Sequence, residues 1–158
     1  SVLTDVTTVD LGGAAHFWWI YNHLGEPIPF PEKVIQGILS LQQDSGIWGN
    51  RLFNGAFPQG IDFDAVNGYK IAYKDLPDTL QEKYKNKIVR SLEIYGCAVS
   101  RFLNRPGAID EYFTSVHKLV GTLNAIAETN ELYKKLTKKD LFILPKQWQP
   151  TLDVVAWQ

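Results

Sequence analysis

Leu41-Gln42-Gln43-Asp44-Ser45-Gly46-Ile47-Trp48-Gly49-Asn50 closes one apolar stretch, and Gly60-Ile61-Asp62-Phe63-Asp64-Ala65-Val66-Asn67-Gly68-Tyr69 opens another. The spacing predicts a helix ending near Leu41, a loop from about Asp44 to Gly60, and a second helix with two carboxylates in its first turn. A loop of that length inside a compact domain is often functional, though some only wrap the fold.

The flanking sequence continues the pattern. Upstream, Asp10 is placed to cap a helix over about Leu11 to Leu24, with Gly25 as its left-handed end. That helix holds Ala14, Ala15, Phe17, Trp18, Trp19, Ile20 and Tyr21. Being apolar almost all round, it is predicted to lie in an interior or to line a cavity. Glu26-Pro27-Ile28-Pro29-Phe30-Pro31 reads as an extended connector, because each residue before a proline is pushed out of the helical region. Pro31 suits the first turn of an amphipathic helix whose apolar face is Val34, Ile35, Ile38, Leu39 and Leu41.

Downstream, a third helix is predicted from about Ile61 to Lys74, stopped by Pro77. Asp78 and Gln81 make a capping pair for a fourth. In it Leu80, Tyr84, Ile88, Leu92, Tyr95, Val99 and Phe102 recur every three or four residues up to Asn104. A fifth helix is expected from about Ile109 to Thr129, and a short sixth from Glu131 to Leu136. The tail from Leu141 to Gln158, with Trp148 and Trp157, shows no readable period.

No strand emerges, so the expected fold is all-α: one domain spanning residues 1–158. Three helices begin alike, at Val9-Asp10-Leu11, Ile61-Asp62-Phe63 and Ile109-Asp110-Glu111. Aspartates about 50 residues apart, each heading a pair of helices, predict a helical-hairpin repeat.

Composition narrows the function. The chain has 158 residues, 45% apolar and 21% charged, with a net charge of -1, so no basic footprint points to nucleic acid or an anionic membrane. No apolar run reaches the length of a membrane span, and no signal peptide is legible. The start at Ser1 and the absence of methionine fit either a processed start or a fragment. Cys97 is the one cysteine, which excludes an internal disulfide and multi-cysteine metal clusters. It is expected to be a small buried side chain. Five tryptophans point to large buried aromatics or an aromatic-lined cavity.

Gln42-x-x-x-Gly46-x-Trp48 resembles the end of the QW motif of triterpene cyclases, and related turns occur in the α/α toroids of protein prenyltransferases. The motif's upstream half is not reproduced, so the match covers seven residues. In that superfamily the motif ties an outer helix to the next inner one, which implies that Gln42 and Trp48 are fold residues. Asp62-Phe63-Asp64-Ala65 is similar to a degraded Asp-x-Asp-Asp motif, the proton source of class II cyclases. Ala65 stands where the paired carboxylate belongs, which counts against protonation-initiated cyclisation. Six or seven helices are about half a toroid. The resemblance therefore implies a half-toroid, a fragment or a smaller α/α domain, with a larger toroid partner or an oligomer as the corresponding assembly.

Asp62, Asp64 and His16 are the candidate catalytic residues. One carboxyl held in an apolar pocket would act as general acid. The competing reading has Asp62 capping its helix and Asp64 complementing the helix dipole, as Asp10 and Asp110 would without a second acid two residues on. Trp18, Trp19, Trp48, Tyr69 and His117 are the candidate ligand-binding residues, with Tyr21 and Phe53 beside them. Their competing role is core packing. No phosphate loop, catalytic-triad signature, dinucleotide fingerprint or zinc motif is present, so no cofactor and no metal are assigned. The expectation is an aromatic-lined pocket that binds or processes a sugar chain or an isoprenoid. The alternative is a non-catalytic helical-repeat interaction or structural module.

Overall fold

The computed structural model describes residues 8–48, 60–108, 110 and 116–144. They form five helices with no strand among them: α1 (Thr8–Leu24), α2 (Pro31–Leu41), α3 (Gly60–Lys74), α4 (Asp78–Leu103) and α5 (Val116–Thr137).

α3 is the centre. It packs against α5, α2, α1 and α4. Its burial follows from composition: Phe63, Ala65, Val66, Tyr69, Ile71, Ala72 and Tyr73 leave hardly a turn without an apolar side chain. Gly68 lets α1 come close, since a Cβ there would stand 2.5 Å from the Trp18 ring and 2.7 Å from Ile38. The interior position predicted for α1 therefore belongs to α3. α1 buries Leu11, Ala15 and Trp18, one helical face, against α3 and exposes Phe17, Ile20 and Leu24.

Helix ends differ from expectation in instructive ways. α1 starts at Thr8, so Asp10 sits within its first turn rather than capping it. Its end is as predicted: Gly25 has φ 72°, with Gly25 N donating to Asn22 O and Glu26 N to Tyr21 O. α2 begins behind Phe30 in the left-handed region (φ 56°, ψ 50°), with Pro31 at its first position. The connector before it is pinned by buried Ile28, whose N–H donates to Asp75 Oδ2 at 2.9 Å.

α4 opens at Asp78, so the predicted cap is itself the first helical residue. Pro77 precedes the helix, and its carbonyl accepts from Leu80 N and Gln81 N. The Gln81 side chain turns back to Leu76 O instead of completing a capping box. The apolar period of α4 holds through Tyr84, Ile88, Leu92, Tyr95, Val99 and Phe102, all buried. Cys97 falls on the opposite face and is exposed, which corrects its expected burial. The helix alternates too regularly to bury Tyr95, Gly96, Val99 and Cys97 together.

The predicted break between a fifth and a sixth helix is absent, and α5 runs unbroken to Thr137. Asn130, between the two predicted helices, is half-buried; its Oδ1 accepts from Leu141 N at 2.8 Å and Phe142 N at 2.9 Å, which docks residues 141 and 142 against the helix. The predicted start of this helix, residues 109 and 111–115, and the tail from 145 lie outside the described residues.

Candidate functional site

Two residues of α-helix turn the chain by about 200°, so Asp62 and Asp64 leave α3 on different sides. The structure accordingly separates the carboxylates that the sequence sets together.

Asp62 belongs to an interior node. Its side chain is fully buried, and Oδ1 accepts the Trp48 backbone N–H at 2.7 Å. Asp62 thus ties the loop after α2 to the first turn of α3. Trp48 is fully buried as well; its indole Nε1–H donates to Ile38 O at 2.8 Å. Its ring meets Tyr69 edge-on at 6.0 Å and Tyr95 at 5.6 Å.

A polar chain runs beside these rings. Ser91 Oγ donates to Gln42 Oε1 at 2.7 Å, and Gln42 Nε2 donates to Gly46 O and to Ser91 O. The Ser91 hydroxyl has one proton, already given to Gln42. Tyr69 OH, 3.1 Å away, is therefore the donor to Ser91 Oγ. Burial holds the Tyr69 phenol well above its ordinary pKa, and Ser91 offsets part of this. Burial, and then the Asp62 charge, do the same to Tyr95. The Tyr95 hydroxyl has no hydrogen-bond partner among the described residues.

The turn that delivers Trp48 rests on Gly46, at φ 96°. A Cβ there would lie 2.9 Å from both Ala98 Cβ and Ile94 O of α4. Gln43 N to Ile47 O and Gly46 N to Gln43 O complete the turn.

Asp64 faces α1. Its Oδ2 comes within ordinary contact distance of the Gly12 position, 3.6 Å from where a Cβ on that residue would stand. Burial pushes the Asp64 carboxyl up to about 7, and the nearby His16 pulls it down by less. His16 Nδ1 lies 2.9 Å from Gly12 O. A carbonyl only accepts, so Nδ1 carries the proton and Nε2 is the acceptor nitrogen of the neutral ring. Trp19 stacks obliquely on His16 at 5.1 Å and on Phe63 at 5.8 Å, and its Nε1–H donates to Asn67 Oδ1 at 2.7 Å. The result is a carboxyl–imidazole couple at the α1–α3 seam, half-open to solvent and floored by Trp19. A carboxyl that exchanges its proton near neutrality beside a histidine is able to serve as an acid or a base.

The predicted site residues thus divide. Asp64, His16 and Trp19 come together at the seam. Asp62, Trp48 and Tyr69 come together in the interior, and Trp18 is buried against Gly68. The His117 side chain and Phe53 lie outside the described residues. Among the described residues, no group of three or more potential ligands is arranged to hold a metal ion.

Sequence reasoning missed the partners. Ser91 and Asn67 are polar residues on the buried faces of otherwise apolar helices, which is a legible signal of an internal hydrogen bond. Lys70 and fully buried Glu128, 3.0 Å apart and joined by Glu131 at 3.1 Å, link α3 to α5 across 58 residues of sequence. Burial works against the Lys70 charge, but Glu128 and Glu131 together outweigh it and hold the ammonium above its ordinary pKa. No helix is long and apolar enough to cross a membrane among the described residues. Compared with known proteins, the chain matches no family model, no curated protein and no solved structure.

Proposed function

We propose that this chain is a non-catalytic helical binding module that receives an amphipathic helix of a partner protein along the outer face of α1. One observation carries the reading. Phe17, Ile20, Tyr21 and Leu24, at i, i+3, i+4 and i+7, form one stripe and are 66%, 53%, 37% and 66% exposed. The stripe contains no charged side chain, and Gly13, one turn before it, has open space where a Cβ would stand.

Size selects the occupant. Four such side chains at these exposures offer roughly 400 Å², within the range of functional patches on monomers. A standard interface takes about 800 Å² from each partner, so the stripe alone is too small for a stable dimer of this chain. It suits one helix laid alongside, anchored through its own i, i+3, i+4 and i+7 positions. An edge helix with an apolar outer face also leaves a helical layer uncapped, which favours a further helix there.

The test uses a synthetic 18-residue amphipathic helix with a leucine stripe, followed by fluorescence anisotropy. The native chain should bind it, and F17S/L24S should weaken binding at least tenfold with an unchanged melting temperature. Equal binding by the double variant would remove the proposal. Concentration-dependent self-association abolished by F17S/L24S would instead assign the stripe to a second copy.

The Asp64–His16 couple favours a second reading, in which the seam between α1 and α3 is an acid/base site acting on a sugar chain or an isoprenoid. Under it the chain is part of an α/α toroid, and Gln42, bridging α2 to α4, has the tying role that the motif resemblance implies. Thermal-shift screening against uronate oligosaccharides and isoprenoid diphosphates tests it. A rise in melting temperature seen with the native chain and lost in Asp64→Asn would replace the first reading with this one.

A further inference from the structure

The geometry points to a second binding surface: a groove between α4 and residues 141–142 that takes an extended acidic peptide with an apolar side chain between its charges. The groove shares no residue with α1, so this inference stands independently of the binding-module reading.

The floor is set by Gly96. Leu141 and Phe142 lie so close over it that a Cβ would meet them at 3.0 and 3.4 Å. Asn130 fixes this pair through both backbone N–H groups, so the floor is held in place without a ligand. The groove is shallow and open to solvent, with a volume of about 790 Å³, which suits a chain laid along it rather than a ligand enclosed in it.

Charge is arranged along the groove, not at one end. Arg90 and Arg101 line it eleven residues apart on α4, about 16 Å along the helix. Arg101 gives its Nε–H to Cys97 O and pairs with no carboxylate among the described residues. Glu93 is already engaged, accepting from Tyr133 OH at 3.1 Å and lying 3.9 Å from Arg90. Lys134, Lys135, Lys138 and Lys139 lie at the end of α5 and in the link to Leu141, outside the groove's lining. Of these, Lys134 meets Asp140 at 3.1 Å. Two arginines therefore line the groove against one carboxylate, Glu93, which Tyr133 already engages.

Cations spread over 16 Å with an apolar trough between them do not suit a ligand with one charged head. They suit a chain whose charges are separated. Five residue steps of extended peptide span about 16 Å, so two acidic residues at the ends of a hexapeptide reach both arginines while a residue between them rests on Leu141 and Phe142, which cover Gly96.

Cys97 lies in the groove and is the one thiol of the chain, so its alkylation by neutral N-ethylmaleimide reports occupancy. The probe is capped Glu-Gly-Phe-Ser-Gly-Glu at millimolar concentration, with the Gln-for-Glu and Lys-for-Glu peptides beside it. The acidic peptide should slow alkylation at least fivefold and the other two should not. Arg90→Gln/Arg101→Gln should weaken protection about five- to tenfold, as expected for two exposed charge pairs. Raising salt towards 1 M, where the screening length is about 3 Å, should abolish it. Both arginines are exposed, so the double variant is expected to fold, and an unchanged melting temperature checks this. The inference is overturned if the Gln peptide protects equally, if protection survives the double variant, or if no peptide protects. It is also overturned if inorganic phosphate or anionic vesicles protect where the acidic peptide does not.

Discussion

Replacing Asp64 by Asn should stabilise the protein, by an amount that grows as pH rises from about 4 and levels off above about 7. In the folded chain this carboxyl holds its proton up to about pH 7, against 3.8 as its ordinary value, because α1 and α3 exclude water from it more than His16 compensates. Between those values the folded state binds a proton that the unfolded chain releases. Stability therefore falls as pH rises through that window, and the loss is complete above about 7. At about 1.4 kcal/mol per pKa unit, the gap sets a ceiling of ~4 kcal/mol. The carboxyl is half-open to water, which reduces the expected effect to about 2 kcal/mol. Asn keeps the shape and carries no charge, so it removes the penalty. Urea denaturation of both proteins from pH 4 to pH 8.5 is the assay. The variant should match the native chain near pH 4 and exceed it by about 2 kcal/mol at pH 8, or roughly 4 to 8 °C in Tm for a chain of this size. A difference that stays constant with pH, or one in which the variant loses ground as pH rises, would refute the argument. The second outcome would mean that the ionised carboxylate is a stabilising partner of His16.

Trp48→Ala should cost about 3 to 5 kcal/mol, measured by urea titration, since the ring fills the centre between Tyr69 and Tyr95 and its indole satisfies Ile38 O. A loss under 1 kcal/mol would mean that the node is not part of the core. Gly46→Ala should destabilise by about 2 kcal/mol or more, because the positive φ and the contacts with Ala98 and Ile94 add. A melting curve equal to the native one would show that the turn re-forms elsewhere. Lys70→Ala should cost about 1.5 to 3 kcal/mol by removing the charge-assisted hydrogen bond from Lys70 to buried Glu128. Adding Glu128→Gln to that variant should recover most of the loss.

The periodicity of α2 and α4 was legible because each buries one face and leaves the other to water, which a 3.6-residue period reports directly. α1 and α3 were harder. Both are rich in apolar residues, and nothing local tells a helix surrounded on all sides from one with a bare face. The difference lies in where Trp18 meets Gly68, a contact across 50 residues. Asn130 misled for a related reason: its low helix propensity is outweighed by the two tail amides it accepts. Asp62 and Asp64 looked paired because sequence is one-dimensional, whereas the helix turns them apart. Asp62 is the node residue whose partner, Trp48, was already prominent in the sequence. What linked them was a backbone N–H, which no side-chain pattern records.

The position of α1, resting chiefly on α3, also determines how the molecule comes apart. A helix attached along one face detaches without disturbing the Trp48 node, whereas α3 cannot leave without losing its contacts to α1, α2, α4 and α5 together. Amide hydrogen exchange in α1 should then proceed through a partial opening of low free energy, while the amides of α3 wait for global unfolding. Anything that settles on Phe17 and Leu24 will close that opening. It will slow exchange in α1 far more than elsewhere, and the slowed amides will mark where it sits.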